Sequence, residues 1–234
     1  MSSASNIRFT DQASVKNQGG TFVTNTDQNK TAGAAGQFSE VNPYRVAVIG
    51  VLSAIAVILM YLEIPVPFMP PFIKFDFSDL PPLLGAYALG PAAGVIICLI
   101  KNLVHLMVSN SMFVGELSNF LLGTVFVLTA GLIYRHHKTK RTALIGGIAG
   151  AVAMGVFSIF SNYVIVYPVY YQVAMPEAVI LEAYQAILPM MDSILECLIC
   201  MNMPFTILKG LICVGISMFI YHPLSPILKG KRMH

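Results

Sequence analysis

The chain is short of charge. Lys, Arg, Asp and Glu together make up 11% of its 234 residues, about half the share of a typical soluble domain. Hydrophobic residues make up 56%, so a soluble globular domain is excluded and one polytopic membrane domain is indicated. A net charge of only +3 argues against a nucleic-acid partner. Tryptophan is absent, so a flat ligand would stack on Tyr or Phe. There are four cysteines, and Cys197-x2-Cys200 has neither a second pair nor a nearby histidine to complete a zinc or redox motif. No metal site is expected. The chain has no Walker phosphate loop, so any ATP-driven step would need partner subunits. It also lacks Gly-x-Ser-x-Gly, and His105 has no nucleophile evident opposite it, which argues against an intramembrane enzyme.

What is present divides the chain. Residues 1–43 are rich in Ser, Thr, Asn, Gln and Gly, which predicts a disordered polar tail. The tail has no apolar core of the signal-peptide kind. From Tyr44 the sequence falls into apolar blocks, at 44–62, 78–89, 92–108, 117–134, 143–166 and 204–221. The second block is short. A Pro-rich run, Ile64-Pro65-Val66-Pro67-Phe68-Met69-Pro70-Pro71-Phe72, separates it from the first and cannot be a regular helix. These blocks predict an all-α membrane protein, a bundle of six transmembrane helices over residues 44–222. Within 167–203, residues 177–188 suit an interfacial helix, and residues 190–200 suit an outward extension of the sixth span.

Charge sets the expected orientation. The run Arg135-His136-His137-Lys138-Thr139-Lys140-Arg141 and the basic tail at 223–234 (Lys229, Lys231, Arg232) should both be cytoplasmic. Counting spans back puts both termini inside. The acids, which did not enter that assignment, then all fall outside: Glu63, Asp76, Asp79, Glu116, Glu177, Glu182, Asp192 and Glu196.

Lys209 lies inside the last apolar block, where a lysine at a helix centre costs roughly 3 kcal/mol and usually serves a function. It is about 12 residues from Tyr221, roughly 18 Å along a helix, too far to snorkel to the cytoplasm. No carboxylate lies at its level within the spans unless Asp192 or Glu196 folds back. An ion pair is therefore not expected to be its main compensation, and a ligand rich in hydrogen-bond acceptors is. Asn202, Thr206, Lys209, Cys213 and Ser217 share one helix face, which should look onto protein or water rather than lipid.

A partner stripe lies on the fifth block, with Ser158, Ser161 and Asn162; the asparagine suits either interhelical bonding or recognition of a heterocycle edge. Lys101, Asn102, His105, Glu116 and Asn119 add polar groups near the same end, with Lys101 and Glu116 a candidate ion pair. Phe68, Phe72, Phe75, Phe77, Tyr163, Tyr167, Tyr170 and Tyr171 are expected there too. Convergent polar groups among aromatic walls describe a small-molecule pocket. Gly50-x3-Ala54, Gly90-x3-Gly94 and Ala151-x3-Gly155 are small-residue pairs that allow close helix approach.

The run from Lys74 through Phe75-Asp76-Phe77-Ser78-Asp79-Leu80-Pro81-Pro82 to Gly94 resembles a signature of the riboflavin-specific S components of energy-coupling factor (ECF) transporters. Leu99-Ile100-Lys101-Asn102-Leu103-Val104-His105, Gly115-Glu116-Leu117-Ser118-Asn119-Phe120-Leu121 and Pro204-Phe205-Thr206-Ile207-Leu208-Lys209-Gly210 are similar to it as well. The likeness covers about 45–221. It implies a multi-pass protein of the bacterial plasma membrane that binds riboflavin from outside as cargo, with no resident cofactor and no enzyme activity of its own. It implies an outward flavin site roofed by the first loop, and docking onto a membrane coupling subunit (EcfT-like) that works with two cytoplasmic ATPases. It also implies that Asn162 and Lys209 contact the isoalloxazine and that Gly50 and Ala54 face the coupling subunit. Phe75, Asp76, Asn119, Tyr163 and Thr206 complete the candidate substrate-binding set. The chain departs from the family pattern at Thr206, where Asn is usual, and at Gly50, where Ala is usual. Another flavin or vitamin, for example FMN, is the alternative ligand.

Overall fold

The Pro-rich run after the first apolar block forms no helix. In the structure, a computed structural model, residues 43–108, 113–173 and 175–228 are described, with backbone alone over 221–228. The predicted polar tail therefore lies outside the described residues, save Pro43. The first helix, α1 (Pro43–Tyr61), leads into a loop whose strands β1 (Ile64–Pro65) and β2 (Lys74–Phe75) pair antiparallel, Ile64 opposite Phe75 and Pro65 opposite Lys74. The prolines deny this segment a helical ladder, and tight turns, with Met69 N–H on the Val66 carbonyl and Ile73 N–H on the Pro70 carbonyl, take its place.

The loop then enters the bundle. Asp76, Ser78 and Asp79 are all buried, and α2 (Leu80–Leu89) starts from that depth. Its 10 residues span roughly 15 Å, about half a hydrocarbon core. Loop and short helix together thus occupy the place of the second predicted span. At its far end α2 reverses through Gly90, whose φ of 106° suits glycine, directly into α3 (Pro91–His105).

The remaining helices are α4 (Val114–His136), α5 (Lys140–Ser161), α6 (Tyr167–Val173), α7 (Glu177–Gln185), α8 (Ile194–Cys197) and α9 (Met203–Leu228). A π turn over Asn162–Val166 joins α5 to α6, and another over Leu198–Asn202 joins α8 to α9. Helix α7 lies within the 177–188 stretch, and α8 with the turn after it carries the sixth block back to Ile194, two features whose extent the sequence left open. At the other end α9 runs to Leu228, into the stretch expected to be tail. Among the described residues, five helical stretches are long and apolar enough to cross a membrane: 43–61, 91–108, 114–136, 140–173 and 194–220.

Helix α5 packs along both α4 and α9, and glycine makes both seams possible. A Cβ on Gly150 would sit 2.7 Å from the Phe126 carbonyl oxygen, and one on Gly155 2.3 Å from Ile207. The Ala151-x3-Gly155 pair thus faces α9, where Gly210 meets Ala151. The main core gathers Leu83, Tyr87, Phe126, Val127, Met154 and Val214 around the α2–α5–α9 contact. A second core under α6, α7 and α8 is tied by a 2.7 Å bond between the Tyr167 and Tyr184 hydroxyls. Helix α1 lies at the side, burying Leu52, Ser53, Ala56 and Met60 and leaving Val51, Ile55 and Ile58 exposed.

Candidate ligand-binding site

Two π turns put the polar side chains in place, and prolines explain the turns. Proline cannot donate to the carbonyl four residues back, and its ring clashes with that carbonyl. Pro168 and Pro204 each follow a widened turn in which the preceding residue bonds five back instead: Tyr167 N–H to the Asn162 carbonyl, and Met203 N–H to the Leu198 carbonyl. Such turns recur at functional positions. Here each carries an asparagine, Asn162 and Asn202, and both line one cavity at the end of the bundle that holds the β1–β2 loop.

That inner cavity, about 180 Å³, has Asn162, Asn202, Thr206 and Lys209 on its polar side and Phe72, Tyr167, Tyr170 and Phe205 on its aromatic side. It shares Phe72, Lys74, Gly115, Asn119, Tyr170 and Lys209 with a wider cavity of about 690 Å³ that reaches the α1 end, the loop and α7. The wider volume is within the range of small-molecule sites. Asn162 Oδ1 accepts from the Ser118 hydroxyl at 3.2 Å, and the Thr206 hydroxyl donates to the Asn202 carbonyl at 2.7 Å. Asn119 lines both cavities, and its buried Oδ1 has no donor among the described residues.

Lys209 is held by carboxylates. Its ammonium lies 2.9 Å from Asp76 Oδ2 and 3.2 Å from Asp79 Oδ2. Asp79 Oδ1 also takes the Lys101 ammonium at 2.6 Å, and Lys101 donates to Ser78 Oγ at 2.6 Å. Asp76 Oδ1 accepts the Ser78 N–H at 2.8 Å. The expectation that Lys209 would lack a carboxylate is therefore overturned. The partners, Asp76 in the dipping loop and Asp79 at the start of the second block, are acids that the charge pattern placed at the outer side rather than at the level of Lys209. An ammonium has three donors; with two on Asp76 and Asp79, one is left for the cavity.

The expected Lys101–Glu116 pair does not form either. Lys101 is fully buried on Asp79, while Glu116 Oε1 lies 2.8 Å from His105 Nδ1. His105 Nε2 is 3.8 Å from Glu63 Oε1, its ring lies against Tyr61, and Glu63 is paired with Lys74. A second charged chain thus runs along the wall of the wider cavity.

Of the candidate residues, Asn162, Thr206, Lys209 and Asn119 line the inner cavity, and Asp76 lines the wider one. Phe75 packs edge-on against Phe77 and Phe205 behind the cavity wall. Tyr163 is 53% exposed and lines neither cavity, as is also true of Phe68 at 78%. Gly50 and Ala54 lie together on the exposed side of α1, and a Cβ on Gly50 would meet nothing within 4 Å. Cys197 and Cys200 are free thiols, one buried and one exposed. Asn202, Asp79, Ser118, Tyr167 and Tyr170 were absent from the candidate set. Asp79 had a signal: two acids in an apolar loop and two lysines within apolar blocks must find each other.

Residues 44–221 match the ECF transporter substrate-specific component family. The chain belongs to that family. Among its relatives, the riboflavin transporter RibU of Staphylococcus aureus is 31% identical over 79% of this chain and 92% of its own length. The riboflavin transporter FmnP of Bacillus subtilis is 28% identical over 80% of this chain and 95% of its own. A solved structure of the S component of a bacterial ECF transporter superposes with a TM-score of 0.63 at 32% identity, covering 80% of this chain and 98% of that one. The protein is thus a transport component rather than an enzyme, with membrane-spanning helices that place it in the bacterial cell membrane.

Proposed function

We propose that this protein captures riboflavin outside the cell and delivers it inward as the substrate-specific subunit of an ECF-type importer, with an EcfT-like membrane coupling subunit and two cytoplasmic ATPases. The observation that carries the reading is the row Asn162, Asn202, Thr206 and Lys209 facing aromatic side chains across one cavity. A flavin ring carries alternating donors and acceptors on one edge and flat apolar faces elsewhere. Amide and hydroxyl groups can match either kind of edge atom, an ammonium donates to a carbonyl, and Tyr and Phe stack on the faces. The relatives named as riboflavin transporters support the same cargo. Riboflavin is transported, not retained as a cofactor.

The bundle crosses six times in this reading, with α2 and the dipping loop as the second crossing and both termini cytoplasmic. The basic run 135–141 at one end and the acids at the other support that orientation. The loop over 62–79 closes the outward mouth, and Gly50 and Ala54 meet the coupling subunit. Purified in detergent, the full chain should quench the fluorescence of added riboflavin or emerge yellow with flavin bound. A colourless protein that leaves the fluorescence of added riboflavin unchanged overturns the proposal.

A further inference from the structure

We propose that a separate cavity, at the end of the bundle away from the β1–β2 loop, holds the phosphate of an anionic lipid headgroup, with Arg45, Arg135 and Lys138 as the residues that bind it. The inference rests on the helices crossing a membrane and is independent of the cargo.

This cavity, about 370 Å³, lies where α2 reverses into α3, between the first turn of α1 and the last turn of α4. Its volume is that of a small-molecule site. The charged residues lining it are Arg45, Arg135 and Lys138, and all three are exposed. Among the described residues none of them has a carboxylate partner, since every ion pair engages other side chains. The surrounding elements cannot supply one. Helices α1, α2 and α3 contain no Asp or Glu, and the sequence has none between Glu116 and Glu177. Three positive charges therefore share one concave site with no negative charge to cancel them.

The site is also built in advance. Arg45 donates at 2.7 Å to the carbonyl of Leu89, the last residue of α2. That carbonyl is one of the acceptors a helix leaves open at its C-terminal end. Being neutral, it holds the guanidinium in place without cancelling its charge, and the remaining N–H donors suit phosphate oxygens. The floor is fixed by the Tyr87 and Tyr134 rings, 4.9 Å apart, with the Tyr87 hydroxyl donating to the Ala143 carbonyl at 2.7 Å.

Depth identifies the source of the phosphate. The apolar stretches 43–61 and 114–136 have their ends at this cavity, so its cations sit where hydrocarbon gives way to headgroups. Val46, beside Arg45, and Leu132, one turn before Arg135, are exposed apolar residues suited to acyl chains. A phosphate free in water would meet the same charges and gain nothing from these neighbours. Basic pockets between membrane helices are suited to anionic headgroups. A phosphate held by Arg45 on α1 and by Arg135 and Lys138 at the end of α4 ties the two helices together. Binding to the folded state alone then raises its stability.

The test is thermal unfolding of the full-length protein in a neutral detergent, titrated with phosphatidylglycerol, with phosphatidylcholine and with glycerol phosphate. Phosphatidylglycerol should raise the midpoint saturably, and the other two should not. The double variant Arg135→Gln/Lys138→Gln should need roughly tenfold more phosphatidylglycerol for the same rise. Lys140→Gln/Arg141→Gln removes as much charge from outside the cavity and should behave as the unaltered chain does. No rise with phosphatidylglycerol, an equal rise with phosphatidylcholine, or equal losses in the two double variants would overturn the site. A rise with glycerol phosphate as large as with phosphatidylglycerol would overturn the lipid assignment. The lipid comparison uses the unaltered chain and decides the matter if a variant does not fold. Quenching of riboflavin fluorescence in the same samples reads the cargo proposal separately.

Discussion

Asp79 is the residue on which the site's electrostatics turn, because among the described residues it alone touches both Lys101 and Lys209. Removing one partner of a buried ion pair leaves an uncompensated charge and costs about 3–5 kcal/mol. Asp79→Asn should therefore lower the thermal midpoint in detergent more than Asp76→Asn, since Asp76 touches one lysine and backs it with a single backbone bond. Lys209→Met should weaken riboflavin binding by tenfold or more while the protein still inserts in the membrane; a fluorescence titration of the inserted variant reads this directly, and unchanged affinity would make the lysine purely structural. At this scale the sequence was a good guide to faces and a poor one to partners. Helical spacing correctly turned Asn202, Thr206, Cys213 and Ser217 inward. It could not show that Asp76 and Asp79 reach Lys209, because their pairing depends on an irregular loop with no period to read. Tyr163 failed for a related reason: it sits inside a π turn, where α-helical spacing no longer tells which side a residue faces.

At the scale of elements, the turns that lead from α5 into α6 and from α8 into α9 are set by Pro168 and Pro204. Replacing Pro204 with Ala restores a backbone donor and removes the clash with the Cys200 carbonyl, so the turn over Leu198–Asn202 can tighten to a regular helix. Residues before the turn would then rotate relative to Thr206 and Lys209. We expect Pro204→Ala to keep or raise thermal stability and to weaken riboflavin binding several-fold; both quantities come from one preparation. The seam inward of the turns is less forgiving. Gly155→Val should lower stability sharply, by about 1–3 kcal/mol or more for overpacking, because its first added carbon already overlaps Ile207. The long helices were legible from hydropathy and the Ala151-x3-Gly155 seam from its small residues. The π turns were not, although Pro168 and Pro204 marked where the ladder had to change.

Across the whole molecule, Gly50 and Ala54 on α1 are not among the residues that line either cavity; α1 reaches the wider one only through Met60 and Tyr61. A bulky substitution at Gly50 or Ala54, such as Ala54→Trp, should therefore leave riboflavin binding by the isolated protein unchanged and abolish uptake in cells that supply the partner subunits. Loss of binding in detergent instead would show that α1 shapes the cavity. The buried quartet has a consequence at this scale too. Two lysines and two aspartates cancel, and riboflavin is uncharged. Moving one elementary charge through a membrane potential of 100 mV is worth about 2.3 kcal/mol. A quartet whose charges sum to zero adds neither that toll nor that gain to the movement of the cargo. The quartet thus adds no net charge of its own to the import step, and uptake in cells that supply the partner subunits is expected to change little when an ionophore dissipates the membrane potential.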